Sequence, residues 1–370
     1  SLFLVNRRRL APDKVRDVGY VFQAALRVRC AEGFVPRPDL RGQDAEEWDQ
    51  KVADLQYADV MEYAVGHNVS ATAEEAPDGT CREVRTVFVP TALVEKVVPA
   101  DLEGVELSME ALAAAPDAAA LQGALAALPT AYAAWITRQV RPDDPQRRRT
   151  AEDLLQGAET ARGRIAQGIA ALADPDIRLA FQLANLAVAR ALRQRRCHGT
   201  DQDPAKVPAP TWYPFQLAFL LLNLSGLVDP THKDRTTVDL LFFPTGGGKT
   251  EAYLGLAAFT MVLRRLRADP AGPLGCGVAV LMRYTLRLLT LDQMSRASTL
   301  VCALERLRKA HPDELGHTRF SIGLWVGKSA TANTMREVAE RIDAYKRKRT
   351  KQWPCPLTSC PWCRTPLGPD

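Results

Sequence analysis

The run Val238-Asp239-Leu240-Leu241-Phe242-Phe243 leads directly into Pro244-Thr245-Gly246-Gly247-Gly248-Lys249-Thr250, and a helix-forming stretch follows. An apolar strand, a glycine-rich turn and a helix in that order give the context a phosphate-binding loop requires. Glycines let successive backbone N–H groups turn inward without Cβ clashes, making a concave anion nest. The helix, starting near Lys249, adds the positive end of its dipole at the same point. In such a loop Lys249 reaches the β- and γ-phosphates of ATP and the Thr250 hydroxyl ligates Mg²⁺. Thr245, Gly246, Gly247, Gly248 and Glu251 complete the expected nucleotide site. The competing reading is a plain glycine turn between a core strand and a helix.

The pattern continues downstream. Apolar runs near residues 237–243, 277–282 and 319–326 alternate with helical stretches over 249–267 and 286–309. Alternation at this spacing predicts an α/β fold, with a parallel sheet joined by right-handed crossovers and helices on both faces. The runs are continuously apolar, as strands buried on both faces are. Ligands of such sheets sit at the carboxyl ends of the strands, where the glycine loop and Arg283–Arg287 fall.

The form Pro-Thr-Gly-x-Gly-Lys-Thr, with Phe243 where the generic loop has glycine, resembles motif I of superfamily 2 helicases and translocases. Trp212-Tyr213-Pro214-Phe215-Gln216, ahead of the apolar helix at 217–224, is similar to the aromatic-Pro-aromatic-Gln element of that superfamily. The resemblance implies that the Gln216 amide, donor and acceptor at once, pairs with the adenine edge. Arg283-Tyr284-Thr285-Leu286-Arg287 looks like motif Ia, whose threonine and basic residues hold the phosphates of one strand, and Gly327-Lys328 falls where motif Ib would lie. The family's glutamine follows that threonine by six residues, whereas Gln293 here follows Thr285 by eight. Residues 206–345 are thus expected to be the first part of a RecA-like motor domain. Its DNA contacts would be Arg283, Thr285, Arg287 and Lys328. One arginine pairing instead with a carboxylate on a neighbouring helix is the alternative.

A motor also needs an acidic pair after a later strand to hold Mg²⁺ and orient water, and none precedes Asp370. With Ser1 at the start, the chain is read as a fragment of a longer protein, binding nucleotide poorly by itself and hydrolysing it hardly at all.

Eight cysteines divide into two kinds. Cys30, Cys81, Cys197, Cys276 and Cys302 stand singly among apolar neighbours and read as buried free thiols of a reducing, cytoplasmic compartment. Cys355, Cys360 and Cys363 have metal-knuckle spacing, and Cys360-x-x-Cys363 can grip Zn²⁺ from a tight turn. Residues 346–370 therefore predict the start of a structural zinc ribbon, with its fourth ligand expected beyond Asp370. A redox pair or inert thiols are the alternatives. Basic residues cluster at 7–9, 147–149, 193–196, 264–267 and 345–351 within a formal net charge of +5. Together they permit a phosphate-binding surface; singly each reads as a solvated helix face. The longest apolar stretch, near 217–228, is interrupted by Asn223 and too short to span a bilayer, so no membrane is expected.

Residues 1–205 carry no chemistry readable from spacing. Strands are expected over 59–70 and 82–89, helices over 121–140, 151–173 and 176–196, and a linker over 201–210, making a mixed α+β and helical N-terminal domain. With Tyr63-Ala64-Val65-Gly66-His67, Phe181-Gln182-Leu183-Ala184-Asn185 and the extended loop at 244–253 in this order, the chain resembles the helicase subunit of DISARM anti-phage defence systems. The resemblance implies an ATP-driven DNA translocase or helicase that follows the phosphate backbone irrespective of base sequence. It also implies a partner subunit carrying a domain of unknown function and, in some systems, a DNA methyltransferase. An RNA or DNA-repair helicase, and a nucleotide-gated DNA clamp with little motor activity, remain open.

Overall fold

The computed structural model describes residues 2–9, 12, 19–38, 47–91, 96–244, 246–268, 275–284, 287–325, 332, 334–350, 354 and 357–367, with backbone alone for 287–291. The fold is mixed α/β, and the chain divides into two compact units, residues 1–96 with 140–155, and residues 97–139 with 156–370.

The first unit holds strand β1 (Arg27–Phe34), helix α1 (Trp48–Gln56) and strands β2 (Ser70–Glu75) and β3 (Cys81–Val87). The strands form an antiparallel sheet in the order β1-β3-β2. Asp78 closes the β2–β3 hairpin by accepting from the Thr80 N–H at 3.0 Å, and Gly79 supplies the positive φ of 78°. The strand expected over 82–89 is present as β3. The one expected over 59–70 is not, because Asn68 takes a left-handed φ of 58° and regular pairing starts only at Ser70. Buried Asp54 of α1 receives two bonds from the Arg147 guanidinium, at 2.8 and 2.9 Å, so this arginine is a structural partner rather than part of an open basic surface.

The second unit is built on helices. α2 (Met109–Ala113), α3 (Ala118–Leu125) and α4 (Ala127–Arg138) precede the long α5 (Pro145–Ala171), of which residues 156–171 belong to this unit, then α6 (Pro175–Arg196) and α7 (Pro214–Val228). α8 (Lys249–Leu266), α9 (Arg287–Ala310), α10 (Pro312–Leu315) and α11 (Met335–Lys346) follow. The helix expected over 121–140 is broken into α3 and α4 because Pro129 has no N–H to give the Leu125 carbonyl. By length and composition residues 118–138 are apolar enough to cross a bilayer; as folded here, Leu121, Leu125 and Leu128 are buried in the core. α5 begins at Pro145, earlier than its apolar spacing suggests, because Asp144 caps it by accepting from the Arg147 N–H at 2.8 Å.

α6 lies at the centre of the core. Ala180, Ala184, Ala187, Val188 and Ala191 are small enough to let α8 and α9 approach closely, and Phe181 fills the space that remains. α7 is apolar nearly all round and is covered accordingly, with Leu217, Leu220, Leu221 and Leu224 wholly buried.

The parallel sheet expected from residues 237–326 is not formed among the described residues, whose only sheet is the antiparallel one in the first unit. Residues 237–244, 278–284 and 319–325 are extended but unpaired as strands. Side chains pin them where a ladder would. Arg164 of α5 grips the Asp239 carboxylate at 2.5 and 2.7 Å. Arg264 of α8 donates to the carbonyls of Val278 at 2.8 Å and Cys276 at 3.0 Å. Glu305 of α9 accepts from the Phe320 N–H at 2.6 Å. The runs have one covered side only: Val238, Leu240 and Phe242 are 94%, 83% and 90% exposed, alternating with less exposed neighbours. An open groove of about 720 Å³ separates the second and third runs from α8 and α9.

Candidate nucleotide-binding site

Two left-handed glycines shape the loop. Gly246 and Gly248 have φ of 85° and 88°, and the Gly247 N–H donates to the Pro244 carbonyl at 3.1 Å. Gly247 is required by crowding, since a Cβ there would lie 2.3 Å from Cδ1 of Phe243. Thr245 lies outside the described residues. α8 starts at Lys249, so its first N–H groups and positive dipole end open onto the loop, with Thr250 half-buried in the first turn. The Lys249 ammonium folds back to donate to the carbonyls of Phe243 and of Pro244, the latter at 3.0 Å. A polyphosphate would offer that ammonium formal negative charge, which carbonyls lack. Glycines that open a nest, a helix N-terminus and a lysine beside them fit an ATP triphosphate, and Thr250 is placed in sequence to reach its Mg²⁺.

Gln216 is brought to the loop. Its Oε1 accepts from the Tyr213 N–H at 2.8 Å, closing the first turn of α7, and its Nε2 donates to the Gly248 carbonyl at 2.7 Å. The side chain is buried, with each amide atom engaged inside the chain. Beside it Phe215 stacks on Phe243 with ring centroids 4.1 Å apart, and the half-exposed Tyr213 ring lies 6.0 Å from Phe215. The aromatic-Pro-aromatic-Gln element and the end of the apolar run are therefore one packed piece.

Trp212 anchors that piece to α6. Its indole N–H donates to Oδ1 of Asn185 at 2.7 Å, both residues being wholly buried, and the Asn185 amide donates to the Phe181 carbonyl at 2.9 Å. Sequence reading placed Asn185 in a family pattern without a role. The signal was present, since a lone asparagine on an otherwise apolar helix face needs a buried partner.

Glu251, expected among the nucleotide residues, takes two arginines. Arg296 of α9 donates to its carboxylate and Arg195 of α6 lies 3.6 Å from it. Burial, together with the nearby Arg296 charge, lowers the Arg195 pKa from its ordinary value. Sequence reading assigned neither arginine to this site, because they come from helices far apart in the chain. Other basic clusters are likewise engaged within the fold. Arg193 binds Glu110 at 2.6 and 2.7 Å, and Arg267 reaches the Val228 carbonyl at 3.0 Å and Asp174 at 3.1 Å.

Of the expected DNA contacts, Arg283 is exposed at the end of its extended run, where the Tyr284 hydroxyl meets Gln293 Oε1 at 3.4 Å. Arg287 opens α9, its side chain outside the described residues, as are Thr285 and Lys328.

Of the expected zinc ligands, Cys355 is outside the described residues, while Cys360 and Cys363 close a tight hairpin. Cys360 N–H donates to the Thr365 carbonyl at 2.8 Å, and the Arg364 N–H to the Cys360 carbonyl at 2.9 Å. Hydrogen bonds from Thr365 and from Cys360 favour the Cys363 thiolate and lower its pKa to about 7. A low-pKa thiol in a turn suits a zinc ligand, although among the described residues no three ligating side chains form a ready group. Of the thiols expected to be buried singly, Cys81 and Cys197 are; Cys30, Cys276 and Cys302 are partly exposed.

No protein-family model matches the chain. It spans about a third of a curated relative, 34% of that protein's length, by a match that takes in 99% of its own. Over 391 aligned residues it is 32% identical to DISARM protein DrmA of Bacillus paralicheniformis, and is related in sequence to that protein.

Proposed function

We propose that the chain is the nucleotide-binding part of an ATP-dependent DNA translocase or helicase acting in a DISARM anti-phage defence system. The observation that carries the nucleotide reading is the loop itself, with left-handed Gly246 and Gly248 and Lys249 at the head of α8, tied by Gln216 to the aromatic element. The defence role rests on the sequence relationship to DISARM protein DrmA. In this reading Lys249 and Thr250 hold the triphosphate and its Mg²⁺, and Gln216 and Tyr213 border the base. Arg283, Thr285, Arg287 and Lys328 follow a DNA backbone, and Cys355, Cys360 and Cys363 hold a structural zinc. The protein works in the cytoplasm with other defence subunits.

When bound, Mg²⁺-ATP supplies the phosphoryl group; the chain's residues orient it. Lys249 moves from the Phe243 and Pro244 carbonyls to the phosphate oxygens and neutralises charge developing on them. The test is Lys249→Ala in the full-length protein. ATP hydrolysis should fall by orders of magnitude while DNA binding without ATP changes little, and unchanged turnover would rule the loop out as the active site. Comparing hydrolysis with single-stranded DNA, duplex DNA and RNA separates a DNA motor from an RNA helicase. Strand displacement separates a motor from a clamp.

A further inference from the structure

The aromatic-Pro-aromatic-Gln element has two surfaces to offer a nucleotide base, the amide edge of Gln216 and the ring of Tyr213. The fold commits the first and leaves the second accessible. Gln216 is only 2% exposed. Its Oε1 accepts from the Tyr213 N–H at 2.8 Å, and its Nε2 donates to the Gly248 carbonyl at 2.7 Å. A Cβ at Gly248 would lie 2.7 Å from that Nε2, so the amide rests against the loop itself. Turning it toward a base would give up both bonds and the brace they make between α7 and α8.

Tyr213, by contrast, is 49% exposed. Phe243, Phe215 and Tyr213 form a row of nearly parallel rings, with interplanar angles of 14° and 13° and centroids 4.1 and 6.0 Å apart. Tyr213 is the most exposed of the three. Its ring also borders the loop, since a Cβ at Gly248 would lie 3.6 Å from Cε2 and 3.7 Å from Cδ2. An aromatic ring is thus held beside the glycines that open the phosphate nest.

We propose that the site holds a purine by its face, on Tyr213, and not by its edge, so that it takes ATP and GTP alike. This deepens the nucleotide reading of the loop, on which it rests. Adenine and guanine carry opposite groups at the edge a glutamine amide reads, an N6 amino donor against an O6 acceptor. Gln216, buried and bonded to the Tyr213 N–H and the Gly248 carbonyl, senses neither. The fused ring face is common to both bases, and stacking on an aromatic side chain tolerates either. Selection then falls on the triphosphate, which Lys249 and the loop glycines meet in the same way whichever base it carries.

The experiment compares kcat/KM for ATP and GTP in the full-length protein with DNA present. A site that hydrogen-bonds a substrate edge rejects the mismatched analogue by on the order of 10⁴-fold, whereas here the two values should agree within about tenfold. A preference for either nucleotide beyond about tenfold, with turnover lost in Lys249→Ala, overturns this inference alone. Turnover that survives Lys249→Ala, or no turnover of either nucleotide, overturns the nucleotide reading and this inference with it. As a second arm, Gln216→Ala should raise KM for both nucleotides by the same factor. A rise for ATP alone would make Gln216 the base reader and overturn the proposal. Tyr213→Ala should raise KM for both by on the order of 10- to 100-fold, the loss of one stacked base, and Tyr213→Phe should restore it. Inhibition by inorganic tripolyphosphate, which has no base, should be unaltered in Tyr213→Ala. Weakening of that inhibition by the same factor would place the effect in the shape of the loop and overturn the stacking role.

Discussion

The side-chain amide nitrogen of Gln216 donates to the main-chain carbonyl of Gly248 across 2.7 Å. It joins the first turn of α7 to the residue that opens α8, so the glycine loop is braced from outside its own sequence. Gln216 is buried and Gly248 partly so, and a replacement leaves the Gly248 carbonyl without this donor and the Tyr213 N–H without its acceptor.

Gln216→Ala should therefore cost about 1–3 kcal/mol of stability, chiefly because the Tyr213 N–H loses its acceptor, whereas the Gly248 carbonyl keeps the Glu251 N–H at 3.2 Å. Gln216→Glu should cost more, because it sets a carboxylate against that carbonyl. Denaturant unfolding checks the stability. In the full-length enzyme the same variants should raise KM for ATP more than they lower kcat, as expected for a residue that positions the loop without touching the reacting phosphate. A lowered kcat with unchanged KM would contradict that role.

The Asn185–Trp212 bond should show the same logic as a pair. Asn185→Ala strands the indole N–H and Trp212→Phe strands the Asn185 Oδ1, each in a fully buried setting. Each single change should cost about 1–3 kcal/mol beyond the packing it removes. The double variant should fall short of their sum by roughly 0.5–3 kcal/mol, the coupling of directly bonded residues. Strict additivity in unfolding midpoints would mean the bond contributes nothing.

The loop and its helix were legible in sequence because their signals are local: glycines where φ must be positive, and a helix start at Lys249. α6 and α8 were legible for the same reason. The sheet was not, because apolar runs such as 238–243 declare extension and burial, whereas pairing depends on which edges meet in space. Gln216 was singled out by the resemblance of residues 212–216 to the aromatic-Pro-aromatic-Gln element, but its bond to Gly248 joins positions 32 apart. The pairing of Glu251 with Arg195 and Arg296 is likewise a product of packing between helices. Its residues carry the chemistry in sequence, but not the meeting.

Glu305 should make the 319–325 run sensitive to acid. Burial pushes its carboxyl up, but hydrogen bonds from Arg308 and the Phe320 N–H outweigh this and hold it below its ordinary value. A carboxyl depressed in the folded state stabilises fully above its unfolded pKa, about 4.3 for glutamate, and loses that contribution as pH falls through the folded value. Stability should thus fall on acidification below roughly pH 4, with amide exchange at Phe320 rising in step. Glu305→Gln should be less stable at neutral pH and should flatten this part of the profile. A Glu305→Gln profile as steep as the parent's would assign the acid sensitivity elsewhere.

Arg283 and Arg287 should carry part of the electrostatic contact with DNA. Arg283 is exposed at the end of an extended run, and Arg287 begins the helix that follows. Backbone contacts release counterions and carry no base information, so their loss weakens all sequences alike and lowers the salt dependence. Replacing both with Ala should reduce affinity similarly for unrelated duplexes and reduce the slope of log K against log salt by roughly one to two. The alternative is an arginine that pairs with a carboxylate inside the protein; removing that one would destabilise the fold and leave the slope intact. Binding of the full-length protein at several salt concentrations, beside its unfolding midpoint, separates the two. An unaltered slope in the double variant places the DNA path elsewhere.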